Sequence, residues 1–143
     1  MGHAPRSAPP EQPVRIGVAG FGFWGTKLAR NVDECPESVL AAVCDPVQER
    51  RDDVRDRYRQ TTPVATFEEL LAADDVDAVM LATPAEDHFR QARAALFAGK
   101  HTFVEKPLAL HARECDELIA LAQERGLTLM TGHTFLYSPA VRM

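Results

Sequence analysis

The chain has 143 residues, enough for one domain with a real core. Its net charge of −5, from 21 acids against 16 bases, and the lack of any Lys/Arg stripe argue against a nucleic-acid surface, and no apolar run approaches the length of a membrane span. Residues 1–13 hold Pro5, Pro9, Pro10 and Pro13 and almost no bulky apolar side chain, so a disordered tail is expected there, not a signal peptide, and a cytoplasmic location follows.

From there strand and helix patterns alternate. Val14 to Ala19 reads V-R-I-G-V-A, a short β-rich strand. The run Gly20-Phe21-Gly22-Phe23-Trp24-Gly25 follows. Thr26 to Val32 then carries Leu28, Ala29 and Val32 at helical spacing, and that helix ends near Cys35-Pro36. Val39 to Cys44 is the second strand, and Asp45 at its end comes twenty positions after Gly25. Pro46 is expected in the first turn of a strongly charged helix that runs to Tyr58, since its missing N–H has no helical partner there. Thr62 to Ala65 is a third strand, and Thr66 with Glu69 forms a capping box for a small helix. Val76 to Ala82 reads as a fourth strand buried on both faces, broken at Thr83-Pro84. A helix from Glu86 to Ala98 stops at Gly99, and His101 to Val104 is the fifth strand. A last helix from about Ala112 to Arg125 stops at Gly126, before a sixth strand from Leu127 to Thr131.

Continuous apolar strands separated by helices predict a parallel sheet covered on both faces, a three-layer αβα fold. Right-handed crossovers and the glycine run predict the Rossmann-type doubly wound order 3-2-1-4-5-6. The domain is expected over 14–137.

Strand, glycines, helix and acid together make the dinucleotide fingerprint, which a bare G-x-G-x-x-G would not. Gly20 lets the chain turn out of the strand, Gly22 leaves room for a pyrophosphate, and Gly25 lets the helix pack closely. Free amides at that helix start meet phosphate charge. Asp45 would accept hydrogen bonds from the adenosine ribose and repel a 2′-phosphate, so NAD is favoured over NADP. Phe23 and Trp24 lie within the same loop. Cys35, Cys44 and Cys115 have no metal-type spacing and read as reduced thiols, and no metal site is expected.

Ligands in such sheets lie beyond the carboxyl ends of the strands. Lys106 sits there, after the fifth strand. It reads either as half of a surface Glu-Lys turn or as a donor that stabilises charge on a reacting oxygen. His88, Thr83 and Pro84 read either as an ordinary helix start or as a wall under the nicotinamide half. His133 and Tyr137 could face a substrate or pack in a domain junction.

These pieces resemble the Gfo/Idh/MocA oxidoreductases, the glucose–fructose oxidoreductase and inositol dehydrogenase family. The matching elements are G-F-G-F-W-G at 20–25, C-D at 44–45, A-T-P-A-E-D-H at 82–88, A-G-K-H at 98–101, V-E-K-P at 104–107 and T-G-H-T-F-L-Y-S-P-A-V-R at 131–142. The resemblance implies hydride exchange between a nicotinamide cofactor and a sugar, inositol or sugar-nucleotide alcohol. It implies that Lys106 contacts substrate and nicotinamide ribose, and that Thr83, Pro84, His88, Glu105 and Pro107 line the cofactor. The F-W-G-T-K-L-A-R-N and G-H-T-F-L-Y-S-P-A-V-R runs are similar to members acting on UDP-linked amino-sugar acids.

The family also carries a second α/β domain after the sixth strand, with an Asp-x-x-x-His element whose histidine is the acid/base partner. That domain is missing from this sequence, and 138–143 reads as the start of a connecting helix. The resemblance therefore implies a chain that binds NAD, turns over poorly or not at all, and self-associates through a face left apolar. A non-catalytic NAD-binding regulatory module is the alternative, but such a module has no need of Lys106. A methyltransferase using S-adenosylmethionine fits the glycines but not the T-P and E-K-P elements.

Overall fold

The computed structural model of the chain describes residues 11–133. Within them strands and helices alternate: β1 Val14–Ala19, α1 Phe23–Glu34, β2 Ser38–Cys44, α2 Gln48–Arg57, β3 Thr62–Val64, α3 Phe67–Ala72, β4 Ala78–Leu81, α4 Ala85–Phe97, β5 His101–Val104, α5 Ala112–Arg125 and β6 Leu129–Thr131. The strands form one parallel sheet in the order β3-β2-β1-β4-β5-β6. Strand order reverses between β1 and β4, and this opens a crevice at their carboxyl ends.

Apolar side chains decide which helix covers which face. Val18, Leu40 and Val43 of the sheet meet Ala29 and Val32 of α1 and Val54 of α2 on one side. Val79, Leu81 and Val104 meet Leu70 of α3, Leu96 of α4 and Leu118 of α5 on the other. Each such fully buried Leu or Val contributes about 1.5–3 kcal/mol relative to exposure. Gly17 lets α3 come close, since a Cβ there would lie 2.8 Å from Leu70 Cδ1. The Thr66–Glu69 capping box forms as its spacing predicts: Thr66 Oγ1 accepts the Glu69 N–H at 3.2 Å, and Glu69 Oε2 accepts the Thr66 N–H at 3.2 Å.

Three expectations need correction. Pro46 lies outside its helix, which starts at Gln48, because the Asp45 carboxylate captures the Val47 N–H at 2.9 Å and turns the chain first. β4 and β6 are shorter than their apolar runs. Val76 and Leu127 pack against the core from the preceding turns instead of joining the ladder. β4 is fully buried on one face only: Val79 and Leu81 are covered, whereas Ala78 and Met80 keep partial exposure. Met80, Phe103 and Met130 pair in register across β4, β5 and β6 on that second face, and Met130 is 43% exposed.

The start of β4 is tied to β1 by a bidentate pair. Asp77 accepts the Arg15 backbone N–H at 2.9 Å, Nε at 3.1 Å and Nη2 at 2.8 Å. The Arg15 side-chain hydrogen bond holds the Asp77 carboxyl below its ordinary value. A depressed carboxyl adds stability above its unfolded pKa, about 3.9, and that increment is lost as pH falls through the folded value. Asp77→Asn is therefore expected to be the less stable chain at neutral pH, by under about 1 kcal/mol because both partners are partly exposed. Urea melts of the two chains should converge as pH drops below about 3. A constant gap across pH would show that Asp77 acts through packing, not charge.

Candidate dinucleotide-binding site

The glycine run explains itself residue by residue. Gly20 has φ +88°, a left-handed conformation, and a Cβ there would lie 2.7 Å from the Ala82 carbonyl oxygen. Its own N–H donates to the Cys44 carbonyl at 2.8 Å, so the loop leaves β1 hugging β2. Gly22 is the N-cap of α1, with no side chain capping the first amides and no acid in the first turn. Those amides and the helix dipole are available to an anion. A Cβ at Gly22 would meet only Arg50 Nη1, at 3.9 Å, so the main chain can be approached. Gly25 lies inside the first turn of α1 and is buried against Gly20.

Beside this loop runs a crevice of about 500 Å3, within the range that small ligands occupy, lined by Gly20, Gly22, Asp45, Arg50, Thr83 and Pro84 among others. Asp45 is 1% exposed at its floor. One carboxylate oxygen, Oδ2, accepts the Phe21 N–H at 2.8 Å and Arg50 Nη1 at 3.2 Å; the other, Oδ1, accepts the Val47 N–H at 2.9 Å. The acid therefore bridges the glycine loop to the turn before α2, beyond the ribose role its position suggests. A carboxylate offers about four acceptor positions, which leaves one open, on Oδ1.

A smaller hollow of about 90 Å3 opens on the other side of the same β4 loop, lined by Trp24, Ala82, Thr83, Ala85, His88, Glu105 and Lys106. Ala82 and Thr83 line both spaces. Five of the sequence-predicted residues thus meet here although they come from three separate segments. His88 is buried, with Nδ1 2.7 Å from the Pro107 carbonyl oxygen and Nε2 2.9 Å from the Thr83 carbonyl oxygen. It ties the loop after β4 to the loop after β5, and a neutral ring donates to only one of those carbonyls at a time. Phe23 and Trp24 stack edge to face at 5.2 Å and stay exposed at 72% and 51%, and Trp24 lines the hollow. His133 is exposed just past β6, and Tyr137 lies outside the described residues.

Arg50 is a crevice residue that sequence reasoning does not single out, and Glu68, Arg90 and Gln91 are others. Arg50 sits in a run of five charged side chains, Glu49 to Asp53, and spacing alone does not say which of them reaches the acid. Cys44, adjoining the crevice, is a buried thiol pushed up to about 12 by burial first and by the Asp45 charge second. It stays protonated at neutral pH and is a poor nucleophile.

Residues 14–133 match the GFO_IDH_MocA oxidoreductase family, NAD-binding Rossmann fold. The chain belongs to this family. It is 39% identical over 129 residues to a UDP-N-acetylglucosamine 3-dehydrogenase of Acidithiobacillus ferrooxidans, covering 90% of this chain and 40% of that protein. A 3-ketoreductase from Actinomadura kijaniata, solved with NADP and TDP-benzene, superposes with a TM-score of 0.86 at 34% identity, over 92% of this chain and 40% of that one. GenD2 from gentamicin A biosynthesis, solved with NAD, also gives 0.86 at 34% identity, over 96% of this chain and 39% of that one. The chain spans 32–40% of the length of the curated relatives it matches. It is a Gfo/Idh/MocA NAD-binding domain with the six-stranded fold its strand pattern predicts. Among the described residues no helix is long and apolar enough to cross a membrane.

Proposed function

We propose that this domain serves hydride transfer between NAD and a CH–OH group of a sugar, inositol or sugar-nucleotide substrate. The observation that carries the reading is the shared wall at Ala82 and Thr83. It places the crevice holding Asp45 and the hollow holding Lys106 side by side, so one extended dinucleotide can address both. The residues present fit such a group: an uncapped helix start without acids for the pyrophosphate, an approachable Gly22, and a buried carboxylate for the ribose.

NAD would supply the hydride acceptor. The chain's own residues then have separable tasks. Gly22 and the first amides of α1 bind the diphosphate, and Asp45 orients the adenosine ribose. His88 holds the Thr83 and Pro107 loops at a fixed spacing. Lys106, exposed at the lip of the hollow, presents an ammonium to the substrate oxygen and stabilises negative charge that develops on it. The relatives' names, a UDP-N-acetylglucosamine dehydrogenase and inositol dehydrogenases among them, support a polyhydroxylated alcohol as substrate.

Calorimetric titration of the 143-residue chain with NAD tests the first half of this reading, and saturable binding is expected. Lys106→Met tests the second. NAD affinity should change by less than about threefold, while whatever NADH formation the parent shows with a panel of inositols and UDP-linked amino sugars should fall about 10²–10³-fold, the cost of removing one charge-stabilising donor. A Lys106→Met chain that keeps the parent rate on whichever alcohol turns over removes Lys106 from the chemistry. No heat with NAD removes the domain's assigned ligand.

A further inference from the structure

Thr83 is the polar residue common to the crevice and the hollow, and α4 holds it at both ends. His88 and Gln91, on one face of that helix, are 1% and 7% exposed. His88 Nε2 lies 2.9 Å from the Thr83 carbonyl oxygen, and Gln91 Oε1 lies 2.5 Å from Thr83 Oγ1. An N–H···O pair keeps at least about 2.7 Å, so this closer approach is the Thr83 hydroxyl donating to the Gln91 side-chain carbonyl. A buried amide keeps such a bond, because a polar group left unpaired away from water is costly. Asp87 and Arg90 also line the crevice, but they pair with each other at 3.1 Å, so Gln91 is the group that sets the Thr83 proton.

The direction of that proton decides what Thr83 offers a ligand. A hydroxyl has one proton to give and lone pairs to receive others. With the proton committed to Gln91, Oγ1 can act toward the crevice only as an acceptor. A diphosphate is itself made of acceptors and has no proton to give at neutral pH, so Oγ1 disfavours it and leaves it to the free amides of α1. A ribose hydroxyl does have a proton to give. The Thr83 wall stands between the crevice holding Asp45 and the hollow holding Lys106, where the ribose on the nicotinamide side of an extended dinucleotide would pass.

We propose that Gln91 is a positioning residue that holds the Thr83 hydroxyl as a hydrogen-bond acceptor for the nicotinamide-side ribose. The inference rests on the dinucleotide reading of the crevice, and Gln91 acts through Thr83. Calorimetric titrations with ADP-ribose, which carries that second ribose, and with ADP, which ends before it, test the inference. The chains compared are the parent, Thr83→Val, Thr83→Ser, Gln91→Met and the double variant Thr83→Val with Gln91→Met. The parent should bind ADP-ribose more tightly than ADP. Thr83→Val should lose about tenfold in ADP-ribose affinity and Gln91→Met about threefold to tenfold, while ADP moves by less than about threefold in each. Thr83→Ser, which restores the hydroxyl, should recover most of what Thr83→Val loses. The double variant should be no weaker than Thr83→Val, because Gln91 has nothing to orient once the hydroxyl is gone. Losses that add in the double variant would overturn the inference by giving Gln91 a role of its own. Equal weakening of ADP and ADP-ribose would do the same, since a slack loop has that effect. So would an ADP-ribose affinity that Gln91→Met leaves unchanged, or a parent with no preference for ADP-ribose. If the parent binds neither NAD nor ADP, the crevice reading itself fails, and the role of Gln91 fails with it.

Discussion

Gly25→Ala is expected to lower the stability of the chain by more than about 3 kcal/mol, enough to unfold it under conditions where the parent is native. A Cβ at this position would lie 1.7 Å from the Gly20 carbonyl oxygen and 2.7 Å from its carbonyl carbon. Both sides of that clash are main chain, so no rotamer change relieves it. Either α1 must slide off the sheet, or Gly20 must leave a turn whose own left-handed φ already depends on having no side chain. Gly22→Ala, three residues earlier, is the contrasting case. Its backbone is extended and acceptable to alanine, and the added methyl meets only the tip of Arg50. It should melt within about 1 kcal/mol of the parent yet bind NAD at least about tenfold more weakly, because the methyl stands where the diphosphate approaches. Thermal melts and NAD titrations of the two variants separate the roles of the glycines. A stable Gly25→Ala chain would mean that α1 tolerates displacement from the loop.

That division of labour shows which parts of the site are legible in the amino-acid order. The order of strands follows from alternating apolar runs and from the glycine loop, because a buried parallel strand can be built in few other ways. The place of the crevice follows too, since Gly20, Gly25 and Asp45 are each restricted by a backbone contact that few other residues satisfy. What spacing does not supply are the contacts made by flexible, half-exposed side chains. α2 buries only Val54, so its charged residues have no periodic face that would mark Arg50 as the one reaching back over the acid. His88 stays open between two readings in the sequence for a similar reason. Its burial depends on the Pro107 carbonyl nineteen residues away, a contact set by how the two loops fold together and not by the local helix pattern. Propensity alone places Pro46 in a first helical turn. A tertiary competitor, the Asp45 carboxylate on the Val47 N–H, delays that helix to Gln48.

Asp45→Ala is expected to damage both fold and binding, and the two losses can be measured apart. In the free chain the carboxylate satisfies the Phe21 and Val47 amides at 2.8 and 2.9 Å. Removing it leaves those donors unpaired beside a buried acceptor position, at a cost of about 1–3 kcal/mol each, less whatever water recovers. A net loss of about 2–4 kcal/mol would lower the melting temperature by roughly 10 °C for a chain of this size. Binding loses in addition the hydrogen bonds from the ribose to a charged acceptor, for about 10–100-fold weaker NAD. The difficulty is that a slack glycine loop would weaken NAD by itself. An NAD analogue lacking the adenosine 2′- and 3′-hydroxyls resolves this, because it keeps every loop contact and cannot use the carboxylate. The parent should prefer NAD over that analogue by about the same 10–100-fold, and in Asp45→Ala the preference should disappear. If both ligands weaken equally, the carboxylate acts on the dinucleotide only by shaping the loop, and the preference for NAD must come from elsewhere in the crevice. If the variant melts with the parent, the two amide contacts are not what holds the loop, and the ribose becomes the only reason for an acid at this position.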